Sequence, residues 1–141
     1  MWNMLWPILI VVGSNTVYNI CTKSTPASVN AFASLTFTYL IAALCSAGLF
    51  FATAEEKNLV AELTKTNISS IALGVCIVGL EFGYICIYRA GWKVNTASVV
   101  ANISLACVLL LVGFVLYKEA VSLRQLIGLT VCAVGLVLIA K

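Results

Sequence analysis

Five long apolar runs dominate the sequence and limit what it can fold into. They extend over residues 4–22, 26–53, 68–88, 96–117 and 123–140. A helix needs about 20 apolar residues to cross the roughly 30 Å hydrocarbon layer of a bilayer. Strands that cross a membrane alternate apolar and polar residues within a closed barrel, whereas these runs are continuously apolar. The chain is therefore predicted to be a single, all-α integral membrane domain of five transmembrane helices over residues 1–141.

The composition excludes most soluble functions. Only 9% of the residues are charged and 62% are hydrophobic, with a mean hydropathy of +1.10, whereas a soluble domain carries about 25% charged residues. The sequence has no His, and its acidic residues are all Glu, which excludes most hydrolytic triads and His-containing zinc sites. The Lys and Arg residues are scattered and form no basic stripe for nucleic acid. We therefore expect no enzyme activity, no cofactor, no metal and no nucleic-acid partner.

Local signals predict where two of the helices begin. Thr25 places a capping hydroxyl before Pro26, which favours a helix start at that proline. Ser122 and Gln125 form a capping-box pattern that opens the last helix. The longest segment outside the spans, residues 54–67, has Leu and Val on one side of a helical projection and charged residues on the other. This segment is predicted to be either a short amphipathic helix on the membrane interface or a solvated loop.

The basic residues give the chain no preferred orientation in the membrane. If the chain has five spans, four basic residues lie on the side of the N-terminus and four lie on the opposite side. The two sets are Lys57, Lys65, Lys118 and Arg124, and Lys23, Arg89, Lys93 and Lys141. Because an excess of Lys and Arg in the cytoplasmic loops sets the orientation, this tie predicts dual topology, in which copies insert both ways and pair as an antiparallel homodimer. The alternative is that the N-terminal amine or one dominant loop orients the chain.

Motifs at both ends of the chain resemble a known transporter family. Residues 101–119 form an apolar helix that ends in a Lys-Glu turn, and residues 122–135 follow with a leucine and a Gly-x6-Gly spacing. Gly13-Ser-Asn15 in the first helix is similar to the N-terminal motif of the same modules. The chain thus resembles the drug/metabolite transporter superfamily and, more narrowly, a single five-helix EamA-like module.

The resemblance implies an assembly and a function. Larger members fuse two five-helix modules in inverted orientation around a central substrate cavity, so a single module implies two inverted copies that form a ten-helix transporter. The implied function is a small-molecule secondary transporter of the drug/metabolite type that works by alternating access. It would be a multi-pass protein of the cell membrane, in a bacterial or archaeal inner membrane. Its expected partners are a second, antiparallel copy, a small-molecule substrate and membrane lipids.

The chain departs from one branch of that superfamily. The four-helix multidrug members use a glutamate in the first helix for proton coupling, and the first helix of this chain has no carboxylate. Glu81, in the third span, is instead the ionisable residue that lies well inside a span. A carboxylate at such a depth normally faces a cavity or a partner. It either binds substrate and protons or makes a structural hydrogen bond to another helix.

Polar stripes on three helices predict the substrate site. Each stripe has helical spacing, so its members share one face of their helix. The predicted substrate-binding residues are Glu81, Tyr84 and Tyr88 on the third span, Asn15 and Asn19 on the first, and Ser98 and Asn102 on the fourth. The three stripes line a shared, partly hydrated cavity, or they make hydrogen bonds between helices without any cavity.

Two other functions stay open at this point. A small membrane channel usually shows a ring of polar or charged residues along a whole helix, and no such ring is visible in the sequence. An accessory membrane protein without transport activity of its own usually presents a partner surface outside the bilayer. Residues 54–67 are the one sizeable segment predicted to lie there. Both features favour a transporter over these alternatives.

Overall fold

The computed structural model describes residues 2–120 and 122–140, which form α-helices joined by short connections. The helices are α1 (Trp2–Ser24), α2 (Ala31–Thr53), α3 (Leu59–Thr64), α4 (Ile68–Arg89), α5 (Val94–Leu116) and α6 (Leu123–Ala140). No strand occurs within the described residues. The predicted all-α fold is therefore confirmed.

Four helices are long and apolar enough to cross a membrane. The candidate spans are Leu5–Ser24, Ala31–Thr53, Ile68–Arg89 and Val94–Leu116. By the same measure α6 contributes only a shorter apolar stretch, Leu123–Gly135, and its 18 residues extend over about 27 Å at the helical rise per residue. The count of five spans therefore stays a prediction. Most large apolar side chains of the described helices are exposed in the protomer, as contact with lipid requires.

The helix α2 begins later than the sequence predicts, because Asn30 rather than Thr25 caps it. The Asn30 side chain accepts hydrogen bonds from the backbone N–H groups of Phe32 and Ala33, at 2.9 and 3.3 Å. The Thr25 hydroxyl instead donates to a backbone carbonyl of α1. The segment between the two helices forms turns, so the predicted start at Pro26 is wrong.

The other two local predictions agree with the structure. The Ser122 N–H donates to the Gln125 side-chain carbonyl at 2.8 Å, and the Gln125 N–H donates to the Ser122 hydroxyl at 3.3 Å, which is a reciprocal capping box. Within residues 54–67 the structure has the helix α3, and the Asn58 side chain caps it by accepting from the Ala61 N–H at 3.1 Å. The helical alternative is therefore confirmed for that segment, while its location on the membrane interface stays a prediction.

The chain folds into two compact units. The first comprises Met1–Ile20 and Ala90–Lys141, and the second comprises Cys21–Arg89. In the first unit α5 packs against α6, and in the second α2 packs against α4. The core of the second unit is a small apolar cluster of buried side chains with Tyr39 packed against it. Its buried members are Ala31, Leu35 and Ile85.

Candidate functional site

Hydrogen bonds within α1 hold the first polar stripe in place. Asn19 is buried, with only 3% of its surface exposed. Its side-chain nitrogen donates to the backbone carbonyl of Asn15 at 2.8 Å and to the Asn15 Oδ1 at 2.9 Å. Residues four apart lie on the same face of a helix, so the spacing and the hydrogen bonds fix both side chains together. The two asparagines are thus an ordered polar feature within a candidate membrane span.

The α5 stripe is built in the same way. The Asn102 side-chain nitrogen donates to the Ser98 backbone carbonyl at 2.7 Å and to the Ser98 hydroxyl at 3.2 Å. Asn95 lies almost one turn before Ser98 and continues the stripe towards the start of α5. Asn102 therefore bonds to the residue four positions earlier, as Asn19 does in α1, and its orientation is set by its own helix.

The stripes of α1 and α5 line one open groove in the first unit. We call it the α1–α5 groove, and its volume is about 720 Å³. Its lining residues are Val11, Val12, Asn15, Thr16, Asn19, Ile20, Val94, Asn95, Ser98, Val99 and Asn102. The structure therefore brings together four predicted site residues. Asn95 shares the helical spacing of Ser98 and Asn102 but was not one of the predicted site residues. Thr16 lies next to Asn15 in the sequence and does not share the spacing of the first stripe.

The α1–α5 groove offers hydrogen-bonding groups without any charge. None of its lining side chains is ionisable, and the described part of the chain holds no group of three or more His, Cys, Asp or Glu that could bind a metal ion. Amide and hydroxyl groups both donate and accept hydrogen bonds. The groove can therefore form hydrogen bonds with a polar solute.

Glu81, Tyr84 and Tyr88 lie on α4 in the second unit. Glu81 is half-buried, and it is close enough to Tyr39 on α2 for the two groups to interact electrostatically. The Tyr39 hydroxyl is buried and has no hydrogen-bond partner among the described residues. The Tyr84 and Tyr88 rings stack with their centroids 6.2 Å apart, so these two members of the predicted stripe share one face of α4.

Two cations at helix ends hold parts of the second unit together, and the sequence marks them only as orientation signals. The Arg89 guanidinium donates to the backbone carbonyl of Val29 at 2.5 Å and to that of Pro26 at 3.4 Å. The Lys23 ammonium donates to the Tyr88 carbonyl at 3.4 Å and lies 5.7 Å from the centre of the Tyr88 ring, within the range of a cation–π contact. Arg89 and Val29 are 60 residues apart, so no local pattern reveals their contact.

A mostly apolar groove with a few uncharged polar groups has the character of a small-molecule site, and a family comparison identifies the class of protein. The sequence profile of the EamA-like transporter family matches residues 2–141. The chain belongs to the EamA-like transporter family. The predicted resemblance is confirmed, and this EamA-like protein is a multi-pass membrane transporter of the drug/metabolite type. No curated protein and no solved structure matches it significantly.

Proposed function

We propose that this EamA-like protein is a secondary transporter that moves small molecules across the cell membrane of a bacterium or archaeon by alternating access. The observation that carries the proposal is the α1–α5 groove, a mostly apolar cavity of about 720 Å³ on candidate membrane spans whose polar groups are mainly side-chain amides. Ligand pockets are typically about 300–1,000 Å³ in volume, so a metabolite fits this space. Asn15, Asn19, Ser98 and Asn102 are the proposed substrate-binding residues.

Glu81, Tyr84 and Tyr88 form the proposed second part of the site. Ionisable residues inside membrane spans usually mark the path of a proton or a substrate. Within the described residues the Glu81 carboxyl makes no hydrogen bond, which favours a role in binding or proton exchange over a structural hydrogen bond. In this proposal Glu81 exchanges a proton during the transport cycle, and the two tyrosines provide the polar aromatic surface next to it.

The proposed assembly is an antiparallel homodimer in which two inverted copies enclose the central cavity. The equal numbers of basic residues on the two sides support dual insertion. A face of α6 supports the contact, because a Cβ atom added at Gly128 or at Gly135 would meet no other atom within 4 Å. Small residues let membrane helices approach closely, so this open face is available to a second copy.

Reconstitution tests the transport function. Proteoliposomes are loaded with a mixture of metabolites, and the solutes that leave are identified by mass spectrometry. We expect saturable efflux of at least one solute, which the double variant Asn15→Leu with Asn102→Leu abolishes. Thr38→Val is the matched control, because it removes a polar group from the exposed face of α2. Efflux no faster than from empty liposomes would reject transport, and flux that never saturates would favour a channel.

A reporter at the C-terminus tests the proposed assembly separately. Reporters that are active on only one side of the membrane should give signal from both sides if the chain inserts in both orientations. Two or three additional Lys residues in the 54–67 segment should then bias the signal to one side. A clean one-sided signal from the unmodified chain would reject the antiparallel homodimer.

A further inference from the structure

The lining of the α1–α5 groove is mostly apolar and its few polar groups carry no charge, and this limits the solutes it can bind. Its polar lining consists of asparagine, serine and threonine side chains, and the remainder is valine and isoleucine. An ion that enters a membrane-embedded groove loses hydration and finds no opposite charge there to compensate. A neutral polar solute exchanges its hydrogen bonds with water for hydrogen bonds with amides and hydroxyls. The lining therefore favours an uncharged solute.

The hydrogen bonds within each stripe fix which way the amides point. A backbone carbonyl oxygen can only accept, so the Asn19 side-chain atom that lies 2.8 Å from the Asn15 carbonyl must be the nitrogen. That nitrogen also donates to the Asn15 side chain, whose facing atom must be Oδ1. By the same reasoning, the Asn102 atom at 2.7 Å from the Ser98 carbonyl must be its nitrogen.

These orientations leave one donor and one acceptor available in the groove. The Asn15 side-chain NH₂ group donates to no atom of the described residues, because only its Oδ1 is engaged. The Asn102 Oδ1 accepts from no atom of the described residues, because only its nitrogen is engaged. α1 thus presents a free N–H donor, and α5 presents a free carbonyl acceptor.

We propose that the groove selects an uncharged solute with an amide-type edge, in which an N–H donor lies next to a carbonyl acceptor, attached to an apolar body. The solute carbonyl accepts from Asn15, and the solute N–H donates to Asn102. The valine and isoleucine side chains of the lining contact the apolar body. Carboxamides, lactams and nucleobases have this edge. The inference rests on the proposed transport function and names the class of its substrate.

Two matched sets of probes test whether the groove prefers an uncharged solute and whether it recognises an amide-type edge. The first is nicotinamide, its anionic analogue nicotinate and its cationic analogue 1-methylnicotinamide, which have nearly the same size. The second is uracil with its anionic analogue orotate. Binding to the purified full-length protein is measured by calorimetry. We expect the neutral members to bind at least about tenfold more tightly than the charged ones. Equal binding within a set, or binding of neither neutral probe, would overturn the proposal.

A single substitution should shift the preference towards the cation. Asn102→Asp keeps the shape of the side chain and places a carboxylate in the groove, so 1-methylnicotinamide should gain about tenfold in affinity relative to nicotinamide, whose N–H keeps an acceptor. Asn67→Asp is the control, since Asn67 is exposed outside the candidate spans and should change neither affinity. If Asn102→Asp does not fold, Asn102→Leu should still weaken nicotinamide about five- to tenfold. Unchanged nicotinamide binding in the folded variant would overturn the role of Asn102.

Failure of this inference is distinguishable from failure of the transport function. Efflux of charged metabolites alone from the proteoliposomes would overturn the substrate class and leave transport in place. Absence of any efflux would remove the proposed function itself. Efflux of neutral, amide-bearing solutes that compete with nicotinamide or uracil would support both.

Discussion

The α1–α5 groove and the α2–α4 pair use polar side chains in opposite ways. In the groove, neutral side chains line an open cavity of about 720 Å³. Between α2 and α4, Phe32 stacks on Phe82 with ring centroids 4.7 Å apart, and the Arg89 guanidinium lies at a helix end against backbone carbonyls. The comparison shows that amides oriented by their own helix can line a cavity within a candidate span. A cation is instead held where carbonyl dipoles compensate its charge.

Glu81 does not follow this pattern, because its carboxyl group lies on α4 away from the helix ends. Changing it should therefore have the largest effect. We expect Glu81→Gln to fold and assemble normally but to lose the pH dependence of transport and all accumulation against a gradient, because glutamine keeps the shape and cannot exchange a proton. Solute accumulation in proteoliposomes across a range of external pH measures both properties.

Glu62→Gln is the control for that experiment. It removes a carboxylate from α3, where Glu62 pairs with Lys65 at 2.5 Å outside the candidate spans, and it should leave the pH profile unchanged. If Glu81→Gln transports as well as the natural protein with the same pH profile, then Glu81 has a structural role. The groove would then be a facilitated path for a neutral solute.

The second prediction concerns Arg89, the cation at the end of α4, and tests its contribution to stability. We expect Arg89→Leu to lower the free energy of unfolding by about 2 kcal/mol, because a charged donor loses its hydrogen bonds to the Val29 and Pro26 carbonyls. Arg124→Leu is the matched control, since the Arg124 side chain is exposed and makes no hydrogen bond or ion pair within the described residues. Unfolding in detergent measures the stability of both variants. Equal losses of stability would show that the turn between α1 and α2 does not depend on Arg89.

Two glycine substitutions should have effects of opposite sign in the two units. Gly91 has a φ of 93°, a left-handed conformation that costs a side chain about 1 kcal/mol, so Gly91→Ala should destabilise the protein by that amount. Gly74 lies inside α4, and a Cβ there meets no atom within 4 Å, so Gly74→Ala should stabilise the protein by about 0.5 kcal/mol through helix propensity. Thermal unfolding of both variants gives the signs. The same sign for both would contradict the backbone explanation for Gly91.

The smallest expected effect concerns the start of α6. Ser122→Ala removes the hydroxyl that accepts from the Gln125 N–H, and an exposed cap of this kind contributes about 0.5 kcal/mol. Thr130→Ala is the control within the same helix, because its hydroxyl only bonds back to the Leu126 carbonyl. Thermal unfolding of Ser122→Ala, Gln125→Ala and the double variant should show coupling between the two residues. Additive losses would mean that the box acts as two independent contacts.

The helices that depend on local signals could be predicted from the sequence, and those that depend on distant contacts could not. The Ser122–Gln125 box predicts the start of α6 because both partners lie within one turn. The sequence predicts Thr25 as the cap of α2, whereas Asn30 caps it in the structure. The carbonyl groups of the turn between them accept hydrogen bonds from Arg89, far along the chain. Such a contact cannot be recognised before the fold is known.

The same limit applies to the candidate site. Helical spacing was enough to find the Asn15–Asn19 and Ser98–Asn102 pairs, because each pair is held within its own helix. That both pairs line one groove depends on the tertiary arrangement of the first unit, which spacing does not encode. The interaction of Tyr39 with Glu81 was not predictable for the same reason, since the two residues belong to different helices.

In the proposed mechanism, the uncharged lining of the α1–α5 groove separates the movement of a neutral solute from the membrane voltage. Carrying one elementary charge across 100 mV involves about 2.3 kcal/mol, but a neutral solute among neutral amides moves no charge through the field. None of the residues that line the groove has a charge that could move with the solute. In the proposed cycle, a change in voltage would therefore act on solute transport through the proton that Glu81 exchanges.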